Sequence, residues 1–589
     1  MSVAMLLRGC DTVLAEERDP SVMWLRQWRR LAAFAGTIIV LAVVLALQRQ
    51  RHEAMPPSVA SARVAVTILA INDFHGNLRP PSGGISIADP TDARKKVAIP
   101  AGGAEHMATL VKGFRARKKN SVFVAAGDLI GASPLLSALF HDEPTIESLS
   151  AMGLEITAVG NHEFDEGKDE LLRMQNGGCH PTAGCKGLRP FTGAKFRYLA
   201  ASTIDRRTGQ TLFPAYEIKE FEGIPVAFVG LALKSTPNIV SPSGVAGLEF
   251  RDEAETVNAL VPHLRQRGIE AIVVLIHEGG FPSGGYNECA GISGPIVDIV
   301  GKLDKAVDVI VSGHTHRAYR CVIDGRLVTS ADKFGTIVTA IEIELDRNTR
   351  DIVSARADNL IVRTDVYAKD PEQTALISAY DELVKPLAER PVGSITASLS
   401  RDEGPTGESV LGDIITDAQL AATRSQQDGE AVVAFTNSGG IRSSVPKTPD
   451  GTVKYADLFA AQPFGNTLVT VTMTGAQIKT LLEQQWLNQP KPRILQVSKG
   501  FAYTWDDKRQ LGDFVAADGI TLDDRPIDPA ARYRVTVNSF LADGGDGFSV
   551  LKEGTNPRIG PFEVPALEAY FKANGPLSPH TPTRIRRSE

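Results

Sequence analysis

The sequence predicts an α/β protein with a large first domain, a connector helix and a smaller second α/β domain. Three observations carry that expectation. Short apolar, β-rich runs alternate with amphipathic helical stretches from Arg63 to about Val366. A well-capped helix opens at Asp370, and strands and helices resume after it. Five polar clusters each follow an apolar run, and the carboxyl ends of strands are where open α/β sheets keep their ligands. Composition agrees. The 589 residues imply about two to four domains. Hydrophobic residues at 43% and charged residues at 22% exclude a disordered polar chain, a collagen and a polytopic membrane protein. A net charge of −6 predicts no general affinity for nucleic acid.

Taken in order, residues 1–30 read as a cytoplasmic leader, or as a stretch upstream of a true start at Met23. Residues 31–47 contain no charge and are flanked by Arg26, Arg29 and Arg30 before and by Arg49 and Arg51 after. That length is at the lower limit for a helix crossing a bilayer. It also fits the apolar region of a signal peptide, although no small-x-small site follows closely. The expectation is a membrane anchor that places the rest of the chain on the periplasmic or extracellular face, with secretion after cleavage as the alternative. Residues 48–63 are small, polar and Pro-bearing, a linker. Cys179, Cys185, Cys289 and Cys321 form an even set in an exported chain, and three pairings are open. The turn-rich loop between Cys179 and Cys185 suits a local disulfide.

The first domain, 64–366, has buried strands expected at 64–70, 122–126, 156–159, 226–231, 272–276 and 307–311. Helices are expected at 104–117 and 254–267. The connector, 367–391, starts with an Asp370 N-cap, Pro371 in the first turn and Glu372 at the positive end of the dipole. Leu376, Tyr380, Leu383, Val384 and Leu387 then recur at helical spacing. The second domain, 392–589, has strands at 431–435, 468–473 and 534–537 and helices at 411–423 and 475–485.

The five clusters are Asn72-Asp73-Phe74-His75-Gly76, Gly127-Asp128, Gly160-Asn161-His162-Glu163-Phe164-Asp165, His277-Glu278-Gly279-Gly280 and Ser312-Gly313-His314-Thr315-His316. Alone, an Asp-x-His is a common polar turn. Five such clusters in series, each after a strand, converge on one crevice. Asp73, His75, Asp128, Asn161, His277, His314 and His316 supply oxygen and nitrogen but no thiolate. That set suits zinc, manganese, iron or cobalt and suits calcium poorly.

In this order the clusters resemble the five blocks of the calcineurin-like metallophosphatases. The GNHEFD form and the second domain narrow the resemblance to the 5′-nucleotidase/UDP-sugar hydrolase family, over roughly residues 64–575. The resemblance implies an N-terminal α/β/β/α metallophosphatase sandwich and a C-terminal substrate-binding domain. It implies two divalent metal ions (Zn, Mn, Co or Fe) bridged by Asp128, one completed by Asp73, His75 and His316, the other by Asn161, His277 and His314. Two adjacent cations offset phosphoryl charge and lower the pKa of water between them. His162 and Asp165 resemble the catalytic dyad. In the second domain Asn437 and Arg442 resemble the substrate loop, Phe464 and Phe540 the pair that sandwiches the base, Asn466 a base-edge contact and Asp546 the acid for ribose hydroxyls.

One departure stands out. Family members carry further arginines before an acidic-x-x-x-Gly segment, and here that stretch is 403–412 with Gly407 and Thr406 before Glu408. Arg401 is the nearest substitute. The expected partner is a nucleotide. The expected reaction is phosphate release of the 5′-nucleotidase type, with a 2′,3′-cyclic-nucleotide phosphodiesterase or a nucleotide-sugar or dinucleotide pyrophosphatase as enzyme alternatives. An inactive surface nucleotide-binding protein is the alternative outside enzymes.

Overall fold

The computed structural model describes residues 62–89, 92–489 and 491–588. Side-chain alternation along its strands builds the first half. In Arg63–Ile71, Val64, Val66, Ile68 and Ala70 enter one apolar cluster while Leu69 and Ile71 enter another. Ser121–Ala125 splits the same way, with Val122 and Val124 against Phe123 and Ala125. So does Ala271–Ile276, with Ala271, Val273 and Leu275 against Ile272, Val274 and Ile276. Strands buried on both faces need no polar alternation, which is why they read as continuous apolar runs.

The shared cluster is the seam between two six-stranded sheets. One runs in the order Ile352–Ile361, Ile337–Asp346, Arg63–Ile71, Ser121–Ala125, Ile156–Ala158, Arg197–Leu199. The other runs Ala318–Ile323, Arg326–Ala331, Val309–Ser312, Ala271–Ile276, Ile224–Leu231, Tyr216–Phe221. Helices Ala104–Ala116 and Glu143–Met152 bury Met107, Val111, Ile146 and Leu149 on the outer face of the first sheet. Helices Glu253–Gln266 and Pro295–Lys302 bury Val257, Val261, Leu264 and Ile296 on that of the second. The result is the expected α/β/β/α sandwich. Arg63–Ile71, Ser121–Ala125 and Ile156–Ala158 run parallel, as do Ala271–Ile276 and Val309–Ser312, so their carboxyl ends bring the polar clusters together.

Two strands start two residues later than the sequence predicts, Val309–Ser312 and Val433–Asn437. Val307 and Ala431 are buried all the same. Their hydropathy reports burial in a loop, whereas the ladder starts only where partners exist, at Val309 opposite Val273 and Val433 opposite Val535.

The connector helix is Pro371–Ala388, and the Asp370 carboxylate accepts from the Gln373 amide. Ile377, Tyr380 and Val384 face the first core, but Leu383 is exposed. At the helix's end Arg390 forks onto Glu568 of helix Glu563–Asn574. That hydrogen bonding holds the Glu568 carboxyl at about 2, from an ordinary 4.5. A depressed folded pKa stabilises above the unfolded value and is lost as pH falls from about 4.5 toward about 2. Because the pair is partly solvated, its contribution is about 1 kcal/mol. Arg390→Ala should therefore cost about 1 kcal/mol in urea unfolding at pH 7 and less than half of that at pH 3. A deficit that stays constant between the two pH values would remove the ion pair as its cause.

The second half packs around a five-stranded sheet ordered Leu495–Val497, Val433–Asn437, Arg532–Asn538, Thr467–Thr474, Thr555–Phe562. Helix Gly475–Glu483, opened by a Thr474/Gln477 capping box, buries Ile478, Leu481 and Leu482 against Phe435, Met473 and Val535. Helix Val410–Thr423 starts at Ser409, whose hydroxyl accepts from the Gly412 amide. Cysteines pair as Cys179–Cys185 and Cys289–Cys321, with Cα separations of 4.6 and 4.9 Å.

One expectation is corrected. Among the described residues no helix is long and apolar enough to cross a membrane, so a periplasmic or extracellular location fixed by an N-terminal transmembrane anchor is not upheld. The apolar run 31–47 that prompted it, and the leader and linker beside it, lie outside the described residues. The apolar run and the arginines that flank it carried that expectation.

Candidate active site

Asp73 and His75 follow Arg63–Ile71, Asp128 follows Ser121–Ala125, and Asn161 and His162 follow Ile156–Ala158. His277 follows Ala271–Ile276, and His314 and His316 follow Val309–Ser312. Asp73, His75, Asp128, His314 and His316 all have left-handed backbones, with φ between 47° and 68°. Such a conformation costs about 1 kcal/mol or more per non-glycine residue. Five together mark loops held by the surrounding fold so that their side chains turn inward. Gly160 leaves room for this: a Cβ there would lie 2.2 Å from Asp128 Oδ1.

The expected ligand atoms converge in two groups, those of Asp73, His75 and His316 and those of Asp128, His277 and His314, each within 4.8 Å of one another, and His162 comes equally close to His75 and Asp128. His75 Nε2 is 3.7 Å from Asp128 Oδ2, which joins the groups. Both His75 and His277 donate their Nδ1 protons outward, to the carbonyls of Gly131 (2.9 Å) and Ala126 (2.7 Å). That fixes the tautomer with Nε2 facing inward, the support that metal-binding imidazoles require.

Several atoms are left in want of a cation. Asn161 Oδ1 and His277 Nε2 are buried without a hydrogen-bond partner, although Asp128 Oδ2 lies 2.9 Å from the latter. His75 Nε2 and His316 Nε2 face each other at 3.1 Å. Burial, first of all, drives His75 and His316 well below their ordinary range and His314 to about 3, toward the neutral form that ligates metal. Burial also opposes charge on His277, yet Asp128 overcomes it and pushes the ring up to about 10. A positive charge is thus favoured between those two residues. The donor set fits divalent metal.

The frame around these groups is polar and buried. Asn72 donates to Asp73 Oδ2 (2.6 Å) and accepts from the Ala331 amide (2.7 Å). The Glu163 carboxylate accepts from the amides of Asp128, Leu129 and Gly160 at 2.9, 2.8 and 2.7 Å, tying two ligand loops together. The sequence offers Glu163 as an acidic neighbour able to support the ligand residues from outside. Its position inside GNHEFD was the available signal.

His162 Nδ1 is 2.7 Å from Asp165 Oδ2, and its backbone amide donates to Asp128 Oδ1 (2.9 Å). Burial disfavours the imidazolium, but Asp165 and then Asp128 outweigh it and raise the pKa. The expected dyad is in contact and sits beside the expected ligands, with its ring 4.9 Å from that of His75.

A cleft of ≈ 2960 Å³ joins these groups to the second half of the chain. Asp128, His162, His314 and His316 line one wall; Asn437, Arg442 and Asp546 line the other. Arg442 stands 5.7 Å over the Phe464 ring, which stacks on His162 at 5.7 Å and 19°. Arg401, beside it, donates to the Arg442 carbonyl (2.7 Å). The remaining expected substrate residues point elsewhere. Phe540 packs with the second core and against Gly545, and among the described residues no ring contact joins it to Phe464. Asn466 accepts from Ser539 Oγ (3.1 Å). Asp546 is held by Asn437 (2.7 Å) and by Arg493, a residue no sequence signal singled out.

Away from the cleft, His141, Glu166, Glu170 and His180 also cluster, with the two rings stacked at 3.9 Å. There the Ala183 amide donates to His180 Nδ1, which places the ring's proton on the nitrogen nearest Glu166. That is the tautomer of a hydrogen-bonded histidine.

Comparison with known proteins matches this arrangement. Residues 66–318 match the model of the calcineurin-like phosphoesterases, and residues 391–553 match that of the 5′-nucleotidase C-terminal domain. The chain is 33% identical over 530 residues to endonuclease YhcR of Bacillus subtilis, covering 89% of this chain but only 41% of that protein. It is 25% identical to a 5′-nucleotidase of Vibrio cholerae, covering 87% and 91% of the two. Among solved structures, a 5′-nucleotidase precursor from Thermus thermophilus superimposes with a TM-score of 0.73 at 28% identity, over 89% of this chain and 99% of that one. With both domain models in order along one chain and the same fold in a solved relative, this protein belongs to the 5′-nucleotidase family of metal-dependent calcineurin-like phosphoesterases.

Proposed function

We propose that the protein is a 5′-nucleotidase-type phosphohydrolase that uses two divalent metal ions, of zinc, manganese, cobalt or iron. One observation carries this reading: two ligand groups linked through Asp128, a His162–Asp165 pair and Arg442 all face one cleft. Asp73, His75 and His316 would hold one ion, Asn161, His277 and His314 the other, and Asp128 both. Bound there, the ions supply activation of water and neutralisation of phosphoryl charge. Asp165 accepts from His162 Nδ1 and, with Asp128, favours the imidazolium, whose Nε2–H would then donate to a phosphate oxygen and pass its proton to the departing one. Arg442 offers a second, bidentate hold on the phosphate. Domain bounds of 64–366, 367–391 and 392–589 put the phosphate in the first domain and the rest of the nucleotide in the second, near Asn437 and Asp546. Phe464, Phe540 and Asn466 would reach a base only if the second domain rearranges around them.

A panel of AMP, ATP, UDP-glucose, NAD and a 2′,3′-cyclic nucleotide, given to metal-reconstituted protein, tests the reading. Phosphate release from AMP is expected. Activity confined to the cyclic nucleotide, or to UDP-glucose and NAD, transfers the assignment to the phosphodiesterase or pyrophosphatase reading. Inactivity on all five with metals bound defeats the enzyme assignment.

A further inference from the structure

One buried carboxylate ties the cleft-facing side of the second half together from behind. Glu563 opens helix Glu563–Asn574, is buried, and does not line the cleft. Gln419 Nε2 and Gln462 Nε2 both donate to its Oε1, at 3.3 and 3.2 Å. The side chains of Asn466 and Asn538 hydrogen-bond to it as well. Its backbone amide donates to the Asn466 carbonyl at 3.0 Å. Amide side chains from a helix, a loop and a strand end thus meet on one carboxylate.

Among the described residues no cation pairs with Glu563. Burial pushes its carboxyl up to about 7, and the two asparagines work against that rise. A buried acid without a counter-charge is a poor choice for stability alone. A buried network whose members are committed to one another instead fixes a single arrangement. Here the donors are committed. Asn538 Oδ1 accepts from the Leu541 amide (2.9 Å) and Asn466 Oδ1 from Ser539 Oγ (3.1 Å), so only their NH2 groups remain for Glu563. Gln419 and Gln462 also turn their NH2 groups inward, and among the described residues their own oxygens have no partner. Four such donors need an acceptor that carries no N–H of its own. A carboxylate meets that need and an amide does not.

From Glu563 the network runs outward to the cleft. Asn538 Nδ2 donates to Asn437 Oδ1 at 3.2 Å, and Asn437 Nδ2 to Asp546 Oδ2 at 2.7 Å. Asn437 and Asp546 line the cleft. Gln462 and Asn466 bracket Phe464, the ring stacked on His162. The Arg442 amide donates to the carbonyl of Ala461, which precedes Gln462. Segments 437–442, 462–466 and 538–546 are therefore joined at one point. We propose that Glu563 is a positioning residue: from behind the cleft it sets Asn437, Phe464 and Asp546 against one another, and so governs selectivity for the nucleoside part of the substrate. The inference rests on the phosphohydrolase reading above.

Glu563→Gln tests it, because glutamine keeps the volume and puts an NH2 group where only an acceptor fits. On the metal-loaded full chain, kcat/KM is measured for AMP and for p-nitrophenyl phosphate, which has no nucleoside. One buried donor left unpaired predicts that the AMP to p-nitrophenyl phosphate ratio falls about tenfold, through KM for AMP, with metal content unchanged. Equal losses on both substrates, an unchanged ratio, or a loss confined to kcat would overturn the proposal. Gln462→Leu removes one of the four donors and should move the ratio in the same direction. It decides the matter if Glu563→Gln does not fold, and an unchanged ratio there refutes the role. Should the unmodified protein turn over no AMP, the nucleotidase reading fails by itself and hydrogen exchange decides on Glu563. Amides of 437–442, 462–466 and 538–546 that exchange about tenfold faster in Glu563→Gln, with the first half unchanged, support the role. A uniform change or none refutes it.

Discussion

Asp128→Asn is expected to strip the protein of metal and of activity together. Asp128 is buried at the meeting point of both ligand groups, 2.9 Å from His277 Nε2 and 3.7 Å from His75 Nε2. Burial works against its charge, yet His277 and His162 hold its carboxyl well below the usual carboxylate range, so it is an anion in the folded state. Asparagine keeps the shape and tolerates the left-handed backbone at φ 51°. Its amide oxygen can still accept from the His162 backbone amide, which Asp128 Oδ1 now does at 2.9 Å. What disappears is the negative charge that, on the reading proposed above, two cations would share. Losing an outer partner of a metal ligand costs about 10–100-fold in affinity, so losing the shared ligand itself should cost more than about 100-fold. Elemental analysis after gel filtration should find less than one ion per chain, and turnover should fall in step. Two retained ions with near-normal turnover would displace Asp128 from the bridging role.

His162→Ala should separate the two losses that Asp128→Asn combines. His162 lies outside both expected ligand sets, although its ring comes within 4.8 Å of the ligand atoms of His75 and Asp128; it contacts Asp165 and faces the cleft. General acid help of this kind is worth about 10²–10⁴-fold in kcat. The variant should lose that much while binding metal as the unmodified chain does. Because Asp165 acts through His162, adding Asp165→Ala should cost little more, a non-additive pair. A kcat unchanged in His162→Ala would leave the histidine as a wall of the cleft and Phe464's stacking partner, with no part in proton transfer.

Much of this site was legible as residue types in series. Asp-x-His, Gly-Asp, Gly-Asn-His-Glu, His-Glu-Gly-Gly and Gly-His-x-His each end a strand that hydropathy alone identifies, and parallel strands carry their ends to one edge. What hydropathy could not place was the strand start at Val309 and Val433, because Val307 and Ala431 are buried without belonging to a ladder. Nor could it show that Leu383, in step with the connector's apolar face, is exposed. Glu163 was visible as a neighbour, but its grip on three amides depends on the approach of two loops 35 residues apart.

The second half was harder to read, and the reason is physical. Its expected substrate residues stand singly along the chain, and a side chain's direction there depends on packing. Asp546 turns to Arg493, Phe464 turns to His162, and Phe540 turns into its own core. By itself the sequence determined the α/β class, the connector helix and the polar clusters at the strand ends, because those follow from periodicity and from short-range chemistry. Only the tertiary structure decided which histidine nitrogens face inward, that Arg401 stands behind Arg442, and that Arg493 holds Asp546. Those facts depend on distances between segments far apart in the chain, and no local pattern encodes them.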